Sequence, residues 1–578
     1  MKCKERGQTM TFFKRIAALL LCALLLGGTG RAWALDGTAY DEIIYRRPSL
    51  ADIQSAVDAL EEALARGEAL ERLEEQLDEI GALYDEFDTM ATIAEIENNR
   101  DLSDAYWQRE SAWCSEHYSE LQRLLDESYS ACAQSTRGEA LERDYFWPGF
   151  REEYGEDRET LYTDDLIALM QEESRLVSEY RALLSEASID LGSGEINYRQ
   201  ALTALDGDEL ARAEELYRYK YNEAFAELFL RLLRVRQQQA QALGYADYEE
   251  MAYDFNYGRD YTAAQAAVFL DSIREELIPV YSSIMAGDPY ADVYYDLVDE
   301  DVLLQLLDAA ASTVGGAAEA AFDFMLRYGL YDVSPGSTKA DLSFQVYLTA
   351  YDEPYLFMNP YGDSADILTL FHEFGHFTDA FCNSGASETI DLAEVYSQAS
   401  EYLSLYALGD ALPREEQENL LRLKLLDTLE LYAQQGAWAE FESVIYASSP
   451  DELDTEALND LSLRVCREYG LCTDGQEESY AMLWMDVPHL FEQPLYIISY
   501  PVSNDLALQL YAMEREEAGS GMARYRQMLE RADPDSGEIL TGLSELVERY
   551  GFDSPFAEGH MQKTAALLAE AFDLTARA

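Results

Sequence analysis

The stretch "LTLFHEFGHFTDAF", residues 368–381, places two histidines four residues apart with a glutamate directly after the first. At about 100° per residue, His372 and His376 lie within about 40° of each other on a helix. Leu370, Phe371, Phe374 and Phe377 fall mainly on the other side. The aromatic residues can therefore bury the helix while both imidazoles face a cleft. Glu373 sits about 100° round from His372, beside the imidazole pair, which suits a base that acts on water next to a metal without ligating it. The competing reading is a core helix with two satisfied histidines. The chain holds only five histidines, so a chance H-E-x-x-H is expected on the order of once in two hundred such sequences, and the metal reading is preferred. Gly375 reads as close packing against a neighbouring helix.

A catalytic zinc takes three protein ligands and keeps one position open. The acids downstream, in "ETIDLAEVYSQASEYL" (388–403), are Glu388, Asp391, Glu394 and Glu401. Glu394 and Glu401 share a helical face, so one can ligate while the other supports a ligand's ring nitrogen. Spacing alone does not choose between them.

Working outward, most of the chain has helical periodicity. Apolar residues recur at three and four positions from Ser49 to about Thr89, with Gly67 marking a break between two antiparallel helices. Similar runs cover 101–134, 159–187 and 208–243, and helix resumes from Ser364 to the C-terminus. "ASIDLGSGEINY" (187–198) reads as a linker and sets a domain boundary near residue 205. The one strand-rich region is 339–362, where Phe344, Val346 and Leu348 alternate before a turn at Asp352, Glu353 and Pro354. The expected fold is mainly α, with two helical domains (35–205 and 206–578) and one small β-sheet beside the HEFGH helix.

A chain of 578 residues with 48% hydrophobic content builds large cores. Its net charge of −69 repels phosphates and anionic lipid, which argues against nucleic acid or membrane partners. Residues 1–34 read as a signal peptide: Lys14 and Arg15 precede the apolar run "IAALLLCALLLGG", and Ala32–Trp33–Ala34 supplies the small-x-small cleavage pattern. Export to the cell envelope or medium is expected, and Met10 is an alternative start. Cys22 follows the bulky Leu21, which disfavours a lipid anchor. Five cysteines remain: Cys114, Cys132, Cys382, Cys466 and Cys472. They are too sparse for a disulfide framework, although Cys466–Cys472 or Cys114–Cys132 could form one bridge. His117 and His560 show no partner pattern and read as surface residues.

"HEFGH" followed by "LAEVYSQASE" resembles the oligoendopeptidase F and thimet oligopeptidase family of zinc metallopeptidases. The resemblance implies that Glu394 is the third zinc ligand, after His372 and His376, and that Glu401 is the supporting acid. "VPHLFEQPLYIISYPVS" (487–503) is similar to the family's downstream block, which implies that His489, Tyr496 and Tyr500 line the cleft opposite the metal. This block departs from the family pattern at Ile498, at Pro501 and in a one-residue insertion after His489. The implied activity is cleavage of short unfolded peptides in a deep channel walled by both domains. One Zn2+ per chain would serve it, with Glu373 as base and His489 or Tyr500 as oxyanion donors. The strand pair at 342–358 could bind the peptide as an added strand. Alternatives are a peptidyl-dipeptidase or carboxypeptidase, which needs a cation such as Lys339, Arg464 or Arg467 for the substrate carboxylate, and a non-catalytic peptide-binding homologue.

Overall fold

The computed structural model describes residues 37–572 apart from 156–161, 193, 291–292, 295, 384–388, 474, 531–539 and 541. The expected signal peptide, with Cys22, and the candidate acid Glu388 lie outside the described residues.

Local signals set the N-terminal helices. Ser49 accepts the Asp52 N–H to cap α1 (Leu50–Arg66), and Gly67 ends it at φ 66°, a conformation that costs other residues more. α2 (Leu70–Arg100) and α3 (Ala105–Gln134) pack with α1 around the fully buried Leu60, Leu73, Phe87 and Leu121. This small core runs from Ile53 to Tyr154. α4 (Asp164–Glu186) and α5 (Gly207–Ala242) contribute Leu176, Tyr180, Phe225 and Phe229 to a second, larger core. α2 serves both cores: Leu73 and Phe87 lie in the small one, and Met90, Ile93 and Ile96 in the larger. The stretch 187–198 is no linker. Ser188–Asp190 (β1) pairs antiparallel with Glu195–Asn197 (β2), and Ile189 is buried in the larger core. Its β-branched residues were a strand signal.

The main sheet contains β3 (Tyr331–Asp332), β4 (Ser343–Leu348) and β5 (Glu353–Met358) in the order β3-β5-β4, with β4 antiparallel and β3 parallel to β5. The turn between β4 and β5 spans Thr349–Tyr351 and Asp352 at φ 57°, earlier than expected, and Pro354 lies in β5 opposite Tyr347. β3 pairs only with Leu356 and Phe357, so a ladder passes Pro354 on one side alone and its missing N–H is tolerated. The end of α2 docks on this sheet: Ala340 N–H donates to the Asn99 carbonyl at 2.7 Å, and Arg100 Nε to Asp332 Oδ2 at 2.9 Å.

β5 packs against α6 (Asp366–Asn383), the HEFGH helix. α6 crosses α7 (Ile390–Ala407), in which every residue from Asp391 to Leu405 is buried. Around α7 lie α8 (Arg414–Tyr446) and α10 (Ser499–Glu516), the latter preceded by the short α9 (Pro488–Glu492). The chain's last described helix is α11 (His560–Ala571). The fold is mainly α, with its three-stranded sheet beside α6 as expected. The five cysteines are free thiols. No helix among the described residues is long and apolar enough to cross a membrane.

His117 is half-buried and stacks on Trp113. His560, expected at the surface, is only 4% exposed. Its Nε2 lies 2.5 Å from Asp505 Oδ2 on α10, Thr564 donates to Asp505 Oδ1 at 2.9 Å, and Asp553, itself paired with Lys563, lies 3.9 Å from His560 Nδ1. Burial alone would lower the imidazole's pKa, but Asp505 and Asp553 raise it overall. A raised folded pKa means stability that is fully present below the unfolded value of 6.5 and lost as pH rises through the folded one. His560→Gln should therefore destabilise the fold by about 1.5–3 kcal/mol at pH 6 and by less at pH 9, measured by urea unfolding.

Candidate metal centre

The loop entering α6 is fixed by that helix's own first residue. The Asp366 carboxylate accepts the N–H groups of Tyr361, Gly362 and Asp363 at 3.1, 2.7 and 3.1 Å. Further along the helix His372 and His376 project to the same side, with ring centroids 4.9 Å apart. Gly375, between them, faces α7 so closely that a Cβ there would lie 2.5 Å from Ser397 Cα and 2.9 Å from the Tyr396 carbonyl oxygen. That approach brings Glu394 to the histidines.

His372 Nε2 is 3.6 Å from Glu394 Oε2, and His376 Nε2 is 3.8 Å from Glu394 Oε1. One ligand atom from each of the three residues lies within 4.8 Å of the others. A tetrahedral ion with ligands at about 2.1 Å sets them about 3.4 Å apart, so the set fits a zinc-sized ion. His372 Nδ1 is bonded to Glu401 Oε1 at 2.9 Å, which leaves Nε2 for the centre. The structure thus separates the two acids that spacing left open. Asp391 is engaged elsewhere, with Arg259 at 3.4 Å and the Tyr261 hydroxyl at 3.1 Å.

Glu373 is buried on the same helix, and among the described residues it accepts no hydrogen bond. Burial raises its carboxyl to about 7. Burial pulls the His372 imidazole down, but Glu401 and Glu394 outweigh it and carry the group to about 9. Burial, reinforced by His372, holds His376 well below its usual value. The centre is a pocket of excess negative charge that favours a cation among its donors.

The downstream block closes the other side. Tyr496 OH donates to Glu394 Oε1 at 2.7 Å, so this tyrosine orients the Glu394 carboxylate, and the Tyr500 hydroxyl meets His489 Nε2 at 3.1 Å. Burial lowers the His489 pKa. A cavity of about 440 Å3 opens beside His372 and Tyr500. Its lining comes from residues between Tyr290 and Tyr500, with none from the N-terminal helices.

Sequence reasoning missed Lys424 and Gln398. Lys424 is 1% exposed on α8, and its Nζ meets Glu401 Oε2 at 2.6 Å and Asp427 Oδ2 at 3.3 Å. Its signal was a lysine four residues from both Leu420 and Thr428, on a buried helix face. Gln398 donates to Glu394 Oε2 at 3.4 Å and to the Tyr500 carbonyl at 3.3 Å. The three candidate carboxylate-binding cations do not line the cavity. Lys339 is held by Asp332 and three carbonyls, Arg464 pairs with Glu440 and Glu468, and Arg467 pairs with Glu477.

Compared with known families, residues 40–151 match the peptidase M3 N-terminal domain and residues 321–557 match peptidase family M3. The chain belongs to peptidase family M3. Both histidines and both acids of the centre lie inside the second match, and the small N-terminal core coincides with the first. Oligopeptidase PepF of Bacillus subtilis (strain 168) is 26% identical to this M3 chain over 191 residues, a match spanning 30% of the chain and 28% of that relative. Among solved structures, PZ peptidase A with an inhibitor shares the fold at a TM-score of 0.78 and 21% identity, covering 92% of this chain and 99% of that one. An oligoendopeptidase-F from Enterococcus faecium does so at 0.59 and 13%, covering 91% and 99%.

Overpacking a closed helix crossing costs about 1–3 kcal/mol. Gly375→Ala should destabilise the M3 fold by that amount in urea unfolding, and should weaken metal binding as α7 is pushed from α6.

Proposed function

We propose that the chain is a zinc-dependent oligoendopeptidase that hydrolyses internal bonds of short, unfolded peptides. The observation that carries this reading is the convergence of His372, His376 and Glu394, with the unpartnered Glu373 carboxylate beside them. These three residues would hold one Zn2+ per chain. A bound zinc ion supplies a Lewis acid that polarises the scissile carbonyl and brings the pKa of water towards about 7.

The remaining chemistry belongs to the chain's own groups. Glu373 takes a proton from the attacking water and delivers it to the leaving amine, which needs a carboxylate free of protein donors. The Tyr500 hydroxyl and His489, 3.1 Å apart, supply donors for the developing oxyanion. Glu401, neutralised by Lys424, keeps His372 in the tautomer that offers Nε2 to the centre. β4 is an edge strand of the sheet that packs beside α6, a site where an extended peptide can add as a further strand. The cavity beside His372 is of the size that holds part of a short chain.

The cavity's cation, Lys424, is already taken by two carboxylates. This favours internal cleavage over release of C-terminal residues, since among the described residues no free positive group lines the cavity to take a substrate carboxylate. The net charge of −69 favours neutral or cationic peptides and disfavours nucleic acid. The N-terminal signal pattern supports action outside the cytoplasm.

Glu373→Gln should retain stoichiometric zinc and lose cleavage of an internally quenched peptide by several orders of magnitude (roughly 10²–10⁴-fold at least). Full activity in that variant would remove Glu373 from the mechanism, and zinc without hydrolysis of any peptide by the unaltered protein would favour the non-catalytic reading. Amidating the peptide's C-terminus should leave its rate unchanged, whereas a dipeptidyl-carboxypeptidase would lose it.

A further inference from the structure

Residues 493–498, between α9 and α10, lie outside regular helix or strand and carry Tyr496 to Glu394. Directly before Tyr496, Leu495 is held at φ 63°, a left-handed conformation that a branched side chain rarely adopts. Such a conformation persists only where the surroundings enforce it. Here the enforcement comes from beneath. Three polar residues remote in sequence, Arg236 and Glu442 buried and Tyr257 half-buried, hold the backbone between Leu490 and Leu495.

Arg236 on α5, fully buried, donates to the carbonyls of Leu490 at 3.0 Å and Phe491 at 2.5 Å. Tyr257 donates its hydroxyl to the Pro494 carbonyl at 2.7 Å, and its ring meets that of Tyr496 edge-on at 6.1 Å. Glu442 on α8, 1% exposed, accepts the Leu495 N–H at 2.6 Å. We propose that Glu442, with Arg236 and Tyr257, forms a buried clamp that positions Tyr496 on Glu394, so that Glu442 acts on the metal centre through the Leu495 N–H.

Glu442 is poorly explained as a packing residue. Its Oε2 is buried without a hydrogen-bond partner, and its neighbours Phe441 and Ile445 on α8 are fully buried apolar residues. An unpaired carboxyl in such a place opposes folding, and burial pushes the group up to about 8. Its hydrogen bond is to the Leu495 N–H, inside the turn that the Tyr496 N–H closes on the Gln493 carbonyl at 3.2 Å. Removing that acceptor frees Leu495 to leave the left-handed region, which swings the Tyr496 hydroxyl off Glu394.

The inference rests on Glu394 being a metal ligand, and the test separates the two. Zinc affinity of the purified full chain is measured by competition with a chromogenic chelator for Glu442→Leu, Tyr496→Phe and the double variant. Loss of an outer partner of a ligand typically weakens metal binding by about 10–100-fold. Each single variant should weaken zinc by about tenfold, and the double variant should be no weaker than Tyr496→Phe alone. Glu442→Gln, which keeps a carbonyl acceptor, should restore affinity to within about twofold of the unaltered protein. Multiplying effects in the double variant, near hundredfold, would overturn the clamp, because a merely structural loss does not depend on the Tyr496 hydroxyl. If Glu442→Leu does not fold, Tyr257→Phe, which deletes only a hydroxyl, replaces it in the same cycle with the same expected non-additivity. Should the unaltered protein bind no zinc, the metal reading fails and the clamp is read from amide exchange across 493–498. Faster exchange in Glu442→Leu or Tyr257→Phe supports it, and unchanged exchange overturns it.

Discussion

The contact between Gly375 and Ser397 is the constraint on which the metal centre depends. The histidines belong to α6 and Glu394 to α7, so the ligand set is complete only if the two helix backbones nearly touch. A residue with no side chain at the crossing allows that approach, and the phenylalanines on the far side of α6 anchor it. Phe371 and Phe377 are fully buried. A close-packed interior does not deform continuously, so the donor positions follow from the packing of the helices.

Charge imposes a second layer of order. Glu401 and Lys424 are both nearly inaccessible, and a buried ion pair gains little stability over an apolar pair of the same size. What the pair contributes is direction: the lysine holds the carboxylate, the carboxylate holds Nδ1 of His372, and the imidazole is turned to present Nε2. Arg259 and Asp391 form a comparable pair at the start of α7, where Arg259 also reaches Ser499 at the start of α10. The helix carrying Glu394 is thus oriented at several points by buried groups that are each costly when taken singly.

Much of this was legible in the sequence, for reasons that can be named. His372, Glu373 and His376 lie within one and a half turns of one helix, so their geometry is a matter of periodicity. The sheet before α6 was visible in the alternation of Phe344, Val346 and Leu348. Glu394 needed the family resemblance, since Glu401 shares its helix face and only the fold decides which acid meets both imidazoles. Lys424 and Glu442 escaped because each is defined by a distant partner: Glu401, twenty-three residues away, and Leu495, fifty-three residues away. The stretch 187–198 looked like a linker because glycines and β-branched residues read that way when each strand of the hairpin is only three residues long. The early turn reflects the same limit: Pro354 seemed a breaker because nothing in the sequence told that one side of β5 is bare at that point.

The free cysteines bear on how the chain reaches its folded state. Cys114, Cys132, Cys382 and Cys466 are buried, and burial pushes the thiols of Cys114 and Cys466 up to about 11 and 12 and raises Cys132 further. Thiols held protonated and out of reach neither attack disulfides nor take part in exchange. Among the described cysteines these four can therefore react only while the chain is unfolded, and in the native structure oxidation falls on the partly exposed Cys472.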